Sequence, residues 1–144
     1  MDSKEYFIEV RNKYYKMQTV SDEIQELKRL SECAGALDYS KERVQSSGNE
    51  PSFLNSLEKA DDRIEKYMKL LNEYEDYREE ALSRLNTLSD GLNARILHMK
   101  FFKFLSLEKI ADELNYSFAT IRKRYWLAMK ECDSKRIWED NYNE

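Results

Sequence analysis

Thr120, Arg122, Lys123, Arg124 and Lys130 fall within one short stretch of the chain, and their types suit a single kind of chemistry. A guanidinium offers paired donors that match the O6 and N7 acceptors of guanine or two oxygens of a phosphate. An ammonium neutralises phosphate as a point charge. These side chains can act together only if one rigid element turns them the same way. Ile121, Tyr125, Ala128 and Cys132 recur every three or four residues between them, which is the period of a helix with these four turned inward. Ser117 is placed to cap that helix, where the free N–H groups of the first turn offer a further phosphate contact. Ser117, Thr120, Arg122, Lys123, Arg124 and Lys130 are therefore the candidate DNA-binding residues.

The preceding residues supply the element that would hold such a helix. Ser106 can cap a short helix whose apolar positions Leu107, Ile110, Ala111 and Leu114 share one face, and Asn115-Tyr116-Ser117 then breaks the pattern. Ala111 is small, as a close helix crossing requires. Two short helices joined by a tight turn, the second rich in cations, are the sequence form of a helix-turn-helix reader of duplex DNA. Between Leu92 and Leu105, Ile96, Leu97, Met99, Phe101, Phe102 and Leu105 supply apolar surface for a third helix to cover both. Each such side chain contributes roughly 1.5–3 kcal/mol when fully buried, less the entropy of ordering it. A plain helical core with a solvated basic face is the competing reading. The turn chemistry, the small residue at the crossing and the cation placement together favour the DNA reader.

The segment ARILHMKFFKFLSLEKIADELNYSFATIRKRYWLAMKE resembles the region-4 helix-turn-helix of the sigma-70 superfamily, in the variant found in RinA/ArpU-like transcriptional regulators of phages and prophages of Gram-positive bacteria. The likeness is strongest from Ser106 to Lys130, notably at Ile110-Ala111, Leu114, Tyr116-Ser117, Ile121 and Ala128. Phe104 stands where related sequences often carry Gly, so a looser or more extended turn is expected there. A weaker likeness runs back through the whole chain, since those regulators also place a charged helical segment and a small Ser/Gly-rich loop before the motif. The resemblance implies promoter binding and activation of phage genes, with host RNA polymerase as a further partner.

The chain has 144 residues, enough for one domain or a small domain with an appended helical arm. Hydrophobic content of 41%, charged content of 36%, three Gly and one Pro point to an all-α fold with long helices. No apolar run approaches the roughly 20 residues that span a bilayer, and Met1-Asp2-Ser3-Lys4-Glu5 starts no signal peptide. The expected setting is the cytoplasm of a bacterial host cell, with no membrane partner. Cys33 and Cys132 lie far apart with no His at ligand spacing, which suggests small buried apolar residues rather than zinc or a disulfide. His98 is the one histidine and has no Ser or Cys placed beside it as a nucleophile, and no glycine-rich phosphate loop exists. The acidic runs read as solvated helix faces. Neither an enzyme nor a cofactor is expected.

Charge is segregated along the chain. Residues 1–91 carry 14 Lys+Arg against 20 Asp+Glu, residues 92–138 carry 10 against 5, and residues 139–144 carry none against 3. A basic unit on an acidic arm suits a DNA reader, because phosphate responds to the local patch rather than to the overall charge of −4. The expected layout is a helical arm over 1–91, a helix-turn-helix domain over 92–138 and an acidic tail over 139–144.

Within the arm, a helix is expected over about 4–34, with Phe7, Val10, Tyr14, Met17, Ile24, Leu27 and Leu30 on one stripe and an irregularity near Thr19-Val20-Ser21. A flexible loop over 35–52 is expected to follow, on its Ser, Gly and Pro content. A second helix is expected over 53–88, where Leu57, Ala60, Ile64, Tyr67, Leu71, Tyr74, Ala81, Leu85 and Leu88 fit a heptad seam and Arg78 is the exception. Arg78 either pairs with an acid across the seam or extends its head to solvent. At 1.5 Å per residue such a helix would be about 54 Å long, more than a small C-terminal unit can cover. Its stripe must meet the first helix in a hairpin or a second copy of the chain, and a homodimer is the expected assembly.

These readings converge on a sequence-specific DNA-binding transcriptional regulator, an activator of phage or prophage genes. The first 91 residues show no recognisable second promoter-reading domain, so the expectation is not a complete sigma factor. A small-terminase-like DNA-packaging protein is one alternative, since it also joins a helix-turn-helix to helical oligomerisation segments. A protein-interaction adaptor or antirepressor, whose basic helix meets an acidic protein, is the other.

Overall fold

Few glycines, one proline and apolar residues at helical spacing leave little besides helix for this chain to form, and the computed structural model is all-α. It describes residues 1–40 and 50–140, with the side chains of 31, 33–40 and 50–57 excepted. The described residues form α1 (Ser3–Ser40), α2 (Glu50–Leu85), α3 (Gly91–Phe101), α4 (Leu107–Leu114) and α5 (Phe118–Lys135).

Several helix ends differ from expectation. α1 continues to Ser40 rather than stopping near 34, and it passes through 19–21 without interruption, where the Thr19 hydroxyl donates to the Tyr15 carbonyl at 3.0 Å within the helix. α2 begins at Glu50, which puts Pro51 in the first turn, where its missing N–H costs nothing. It ends at Leu85 because Thr87 and Leu88 turn back onto the Arg84 and Leu85 carbonyls, at 3.2 Å each, in tighter i−3 bonds. Much of the expected 35–52 loop is therefore helix. Its remainder, 41–49, lies outside the described residues, as do 141–144 of the acidic tail.

The described chain divides into two compact units, Met1–Tyr14 with Tyr74–Glu144, and Tyr15–Glu73. That division cuts across the expected border between an arm and the domain over 92–138. In the first unit, Ile96, Leu97, Met99, Phe101, Phe102, Ile110, Ala111, Ile121, Tyr125, Ala128 and Cys132 are buried as their spacing suggests, while Leu105 and Leu114 are half-buried. They do not form the core alone. Tyr6, Phe7 and Val10 of α1 and Ala81 and Leu85 of α2 belong to the same cluster. Phe7 is fully buried and stacks on Phe101, with ring centroids 5.2 Å apart. The Tyr77 hydroxyl donates to the Tyr6 carbonyl at 2.9 Å, and the Tyr14 and Tyr74 rings meet at 5.7 Å, so α1 and α2 run antiparallel here. Arg78 takes neither expected course: its guanidinium lies over the Phe102 ring, 5.5 Å from the centroid.

Arg84 ties three segments of this unit together. It is 3% exposed, its Nη1 donates to the Ile137 carbonyl at 2.6 Å, its Nη2 pairs with Glu80, and its guanidinium lies over the Tyr6 ring. Cys132 is fully buried, and burial pushes its thiol up to about 12, so it serves as a small apolar residue. The side chain of Cys33 is outside the described residues.

In the second unit Arg63 of α2 pairs with Glu23 of α1, which brings these two helices side by side. Met17 and Val20 are buried, whereas Leu30, Ile64 and Met68 remain 48%, 46% and 49% exposed. Among the described residues, no helix is long and apolar enough to cross a membrane.

Candidate nucleic-acid interface

The geometry of the two motif helices follows from three caps. Ser106 Oγ accepts the Lys109 N–H at 3.2 Å and opens α4, and Ser117 Oγ accepts the Thr120 N–H at 3.2 Å and opens α5. Between them Asn115 takes a left-handed conformation, φ 59°, which its short polar side chain tolerates better than most. The Ala111 carbonyl accepts from both the Asn115 and Tyr116 N–H groups and closes α4. The turn before α4 is also tight, not loose. Phe104 sits at φ 60°, and Leu105 N–H donates to the Met99 carbonyl at 3.1 Å. A left-handed Phe costs about 1–2 kcal/mol relative to an ordinary conformation, which explains why Gly suits this position. Contact between the Phe104 and Tyr14 rings, 5.1 Å apart, offsets part of that cost.

With Ile121, Tyr125, Ala128, Met129 and Cys132 buried, α5 presents Arg122, Lys123 and Lys130 to solvent. None of the three makes an ion pair or side-chain hydrogen bond among the described residues. Ser117 and Thr120 share a hydrogen bond of 2.8 Å between their hydroxyls at the first turn, so both are partly engaged in capping. α4 turns Glu108, Asp112 and Glu113 outward. Lys109 is the one exposed cation of α4, so most of the cations available to a polyanion on the two motif helices lie on α5.

Arg124 stands apart from the other candidates. Its Nη1 donates to Asp90 Oδ2 at 2.8 Å, while Asp90 Oδ1 caps α3 by accepting the Leu92 and Asn93 N–H groups. Farther along the same flank of α5, Glu131 accepts the Ser89 N–H at 3.0 Å and Lys135 donates to the Thr87 carbonyl at 2.8 Å. Positions 124, 131 and 135 form one helical stripe that clasps the 87–90 linker.

The backbone N–H groups of Asn93 and Leu92, together with Arg124, hold the Asp90 carboxyl below its ordinary value, against a smaller opposing effect of burial. The Ser89 N–H and Lys135 do the same for Glu131. A depressed carboxylate contributes stability above its unfolded pKa, and that contribution disappears as pH falls through the folded value. The melting temperature of the wild-type chain should therefore exceed that of an Asp90→Asn, Glu131→Gln variant near neutrality, and the two should converge on acidification below about pH 4. A difference that persists unchanged at pH 3 would show that the clasp is not electrostatic.

His98 is half-buried, stacked on Phe102 with centroids 5.4 Å apart, and burial followed by Arg95, Lys103 and Arg78 lowers its pKa. That shift favours the uncharged ring, and the contact with Phe102 gives it a packing role. Two further residues of α5 were not singled out by the sequence reading: Trp126 and Leu127 are 57% and 48% exposed on the face opposite the core. Their offset from Tyr125 and Ala128 along the helix is the signal that places them outward.

The family model described as ECF sigma factor matches residues 39–136, a stretch that contains α3, α4 and α5. No curated protein matches the chain, and no solved structure does.

Proposed function

Because this chain belongs to the ECF sigma factor family, whose members are DNA-binding transcription regulators and not enzymes, we propose that α5 enters the major groove and reads a specific site. The observation that carries this reading is the exposed set Arg122 and Lys123 on the N-terminal half of a helix capped by Ser117. Thr120 and Ser117 at the first turn fit close approach to the duplex, and Lys130 fits a more distant phosphate. Arg124 takes a positioning role, since its guanidinium holds the start of α3 against α5. The gene context we propose is that of a phage or prophage activator of the RinA/ArpU-like kind, working with host RNA polymerase.

Selection of bound sequences from a random duplex pool tests the reading directly. For each of the two side chains that reads a guanine, the double change Arg122→Ala, Lys123→Ala should weaken the selected site by about 1–3 kcal/mol. For each that only neutralises a phosphate, it should weaken every sequence alike. Unchanged affinity in a folded variant would remove α5 from the interface. Transcription from a template bearing the selected site, with host polymerase added, should rise with the protein present; a fall would make it a repressor.

We further propose a homodimer formed through the Tyr15–Glu73 unit. Ile64 and Met68, one turn apart on α2, and Leu30 of α1 are large apolar side chains left exposed there, although Arg63 and Glu23 already pair the two helices. Two readers would then require half-sites about one helical turn apart, or a multiple of it. Light scattering should report a dimer that Ile64→Asp with Met68→Asp converts to a folded monomer. A monomeric wild type would defeat the dimer, and a ring-sized mass would favour the packaging alternative.

A further inference from the structure

A cleft of about 260 Å³ opens where α1, α3, α4 and α5 meet, and three cations stand around it: Lys4 and Arg11 of α1 and Lys100 of α3. Its apolar lining comes from Ile8, Phe101, Leu107 and Tyr125. Lys4, Ile8 and Arg11 are spaced so that they share one face of α1. Lys4 and Arg11 are exposed, Lys100 is half-exposed, and none of the three makes an ion pair among the described residues. α1 is fixed beside α5 at its start, because the Ser3 N–H donates to Asp133 Oδ1 at 3.1 Å. Seven residues of helix carry the chain about 10 Å from Lys4 to Arg11. Tyr125, which lines the cleft, is three residues from Arg122 and hence its neighbour on the surface of α5.

We propose that this flank is a second contact with the DNA backbone, so that the N-terminal turns of α1 grip the duplex beside the reading helix. The inference rests on α5 being the DNA reader. Two observations select phosphate as the occupant. Tyr125 in the lining of the cleft is one helical turn from Arg122 on α5, so a duplex seated on Arg122 and continuing past Tyr125 brings a strand toward these cations. The exposed residues of α4 include Glu108, Asp112 and Glu113 against Lys109 as the single cation, a net negative charge that disfavours a strand on that side. An acidic protein segment would meet the same cations, and its binding is an outcome the experiment separates.

The test uses the full chain with the triple change Lys4→Gln, Arg11→Gln, Lys100→Gln, and two duplexes, one selected from the random pool and one of unrelated sequence. Each phosphate neutralised adds about 0.9 to the slope of log affinity against log salt. The triple variant should show a slope shallower by about 2–3, equal weakening on both duplexes and an unchanged sequence preference. If the triple variant melts early, the exposed pair Lys4→Gln, Arg11→Gln should still reduce the slope by about 1–2. A wild-type slope in these variants, while Arg122→Ala with Lys123→Ala weakens binding, overturns the flank and leaves the α5 reading intact. The same wild-type slope together with abolished binding to poly-glutamate replaces the duplex with an acidic protein partner. Failure of the wild-type chain to bind either duplex overturns both readings.

Discussion

Arg84→Ala should destabilise the unit that carries the helix-turn-helix by roughly 2–4 kcal/mol, although this residue lies outside the motif. A buried carbonyl left without a donor costs about 1–3 kcal/mol, and Ile137 would be in that position once the Nη1 bond of 2.6 Å is gone. The rest of the effect comes from the packing of the arginine stem, which is almost wholly enclosed. Glu80 adds little, because its side chain is 47% exposed and water can replace the guanidinium. Arg84→Met separates the two contributions: it keeps most of the stem volume but not the donor, so it should be destabilised about half as much as Arg84→Ala. Denaturant melts followed by circular dichroism measure both. Equal stability of wild type and Arg84→Ala would mean that the C-terminal segment after α5 is not held through this residue.

The consequence for function is indirect. Arg84 fixes Ile137 beside the end of α5, and the Arg124, Glu131 and Lys135 clasp fixes the other flank of that helix to the 87–90 linker. A reading helix anchored on both sides presents Arg122 and Lys123 in one orientation. Preorganisation of this kind reduces the side-chain and backbone entropy that binding must otherwise overcome.

What could be read from the sequence was local. Ser106 and Ser117 as caps, Asn115 as a turn residue, and Ile121, Tyr125, Ala128 and Cys132 as the inward face all follow from spacings of three or four residues. Periodicity shows which side of a helix faces inward but not what it meets there. The stripe containing Phe7 and Val10 was legible as apolar, yet nothing local shows that it packs against Phe101 and Phe102. Arg124 illustrates the same limit for a charged group: its outward position on α5 suits DNA, while its partner Asp90 is 34 residues away. Arg78 was an anomaly in a heptad count because its actual neighbour, Phe102, belongs to another segment. The cationic flank had no signature at all, since it draws Lys4 and Arg11 to Lys100 across most of the chain.

The largest effect is expected from Phe7→Ala. Phe7 is fully buried, stacks on Phe101 and meets Phe102 edge-on at 6.4 Å, so truncation removes aromatic packing from the centre of the cluster and leaves a cavity. Such changes cost about 3–5 kcal/mol, a large share of the roughly 5–15 kcal/mol that keeps a domain folded. The melting temperature should fall by about 15 °C or more, and DNA affinity at 37 °C should fall with it, although Phe7 touches none of the reading residues. Phe7→Leu keeps most of the volume and should recover most of the stability. Lys16→Ala, at an exposed position farther along α1, should melt like wild type. By the same reasoning a fragment of residues 92–138 lacks Tyr6, Phe7, Val10, Ala81 and Leu85 and should show no cooperative melt. A Phe7→Ala chain that melts with the wild type, or a 92–138 fragment that folds and binds DNA unaided, would establish that the motif is stable by itself and that α1 is only appended to it.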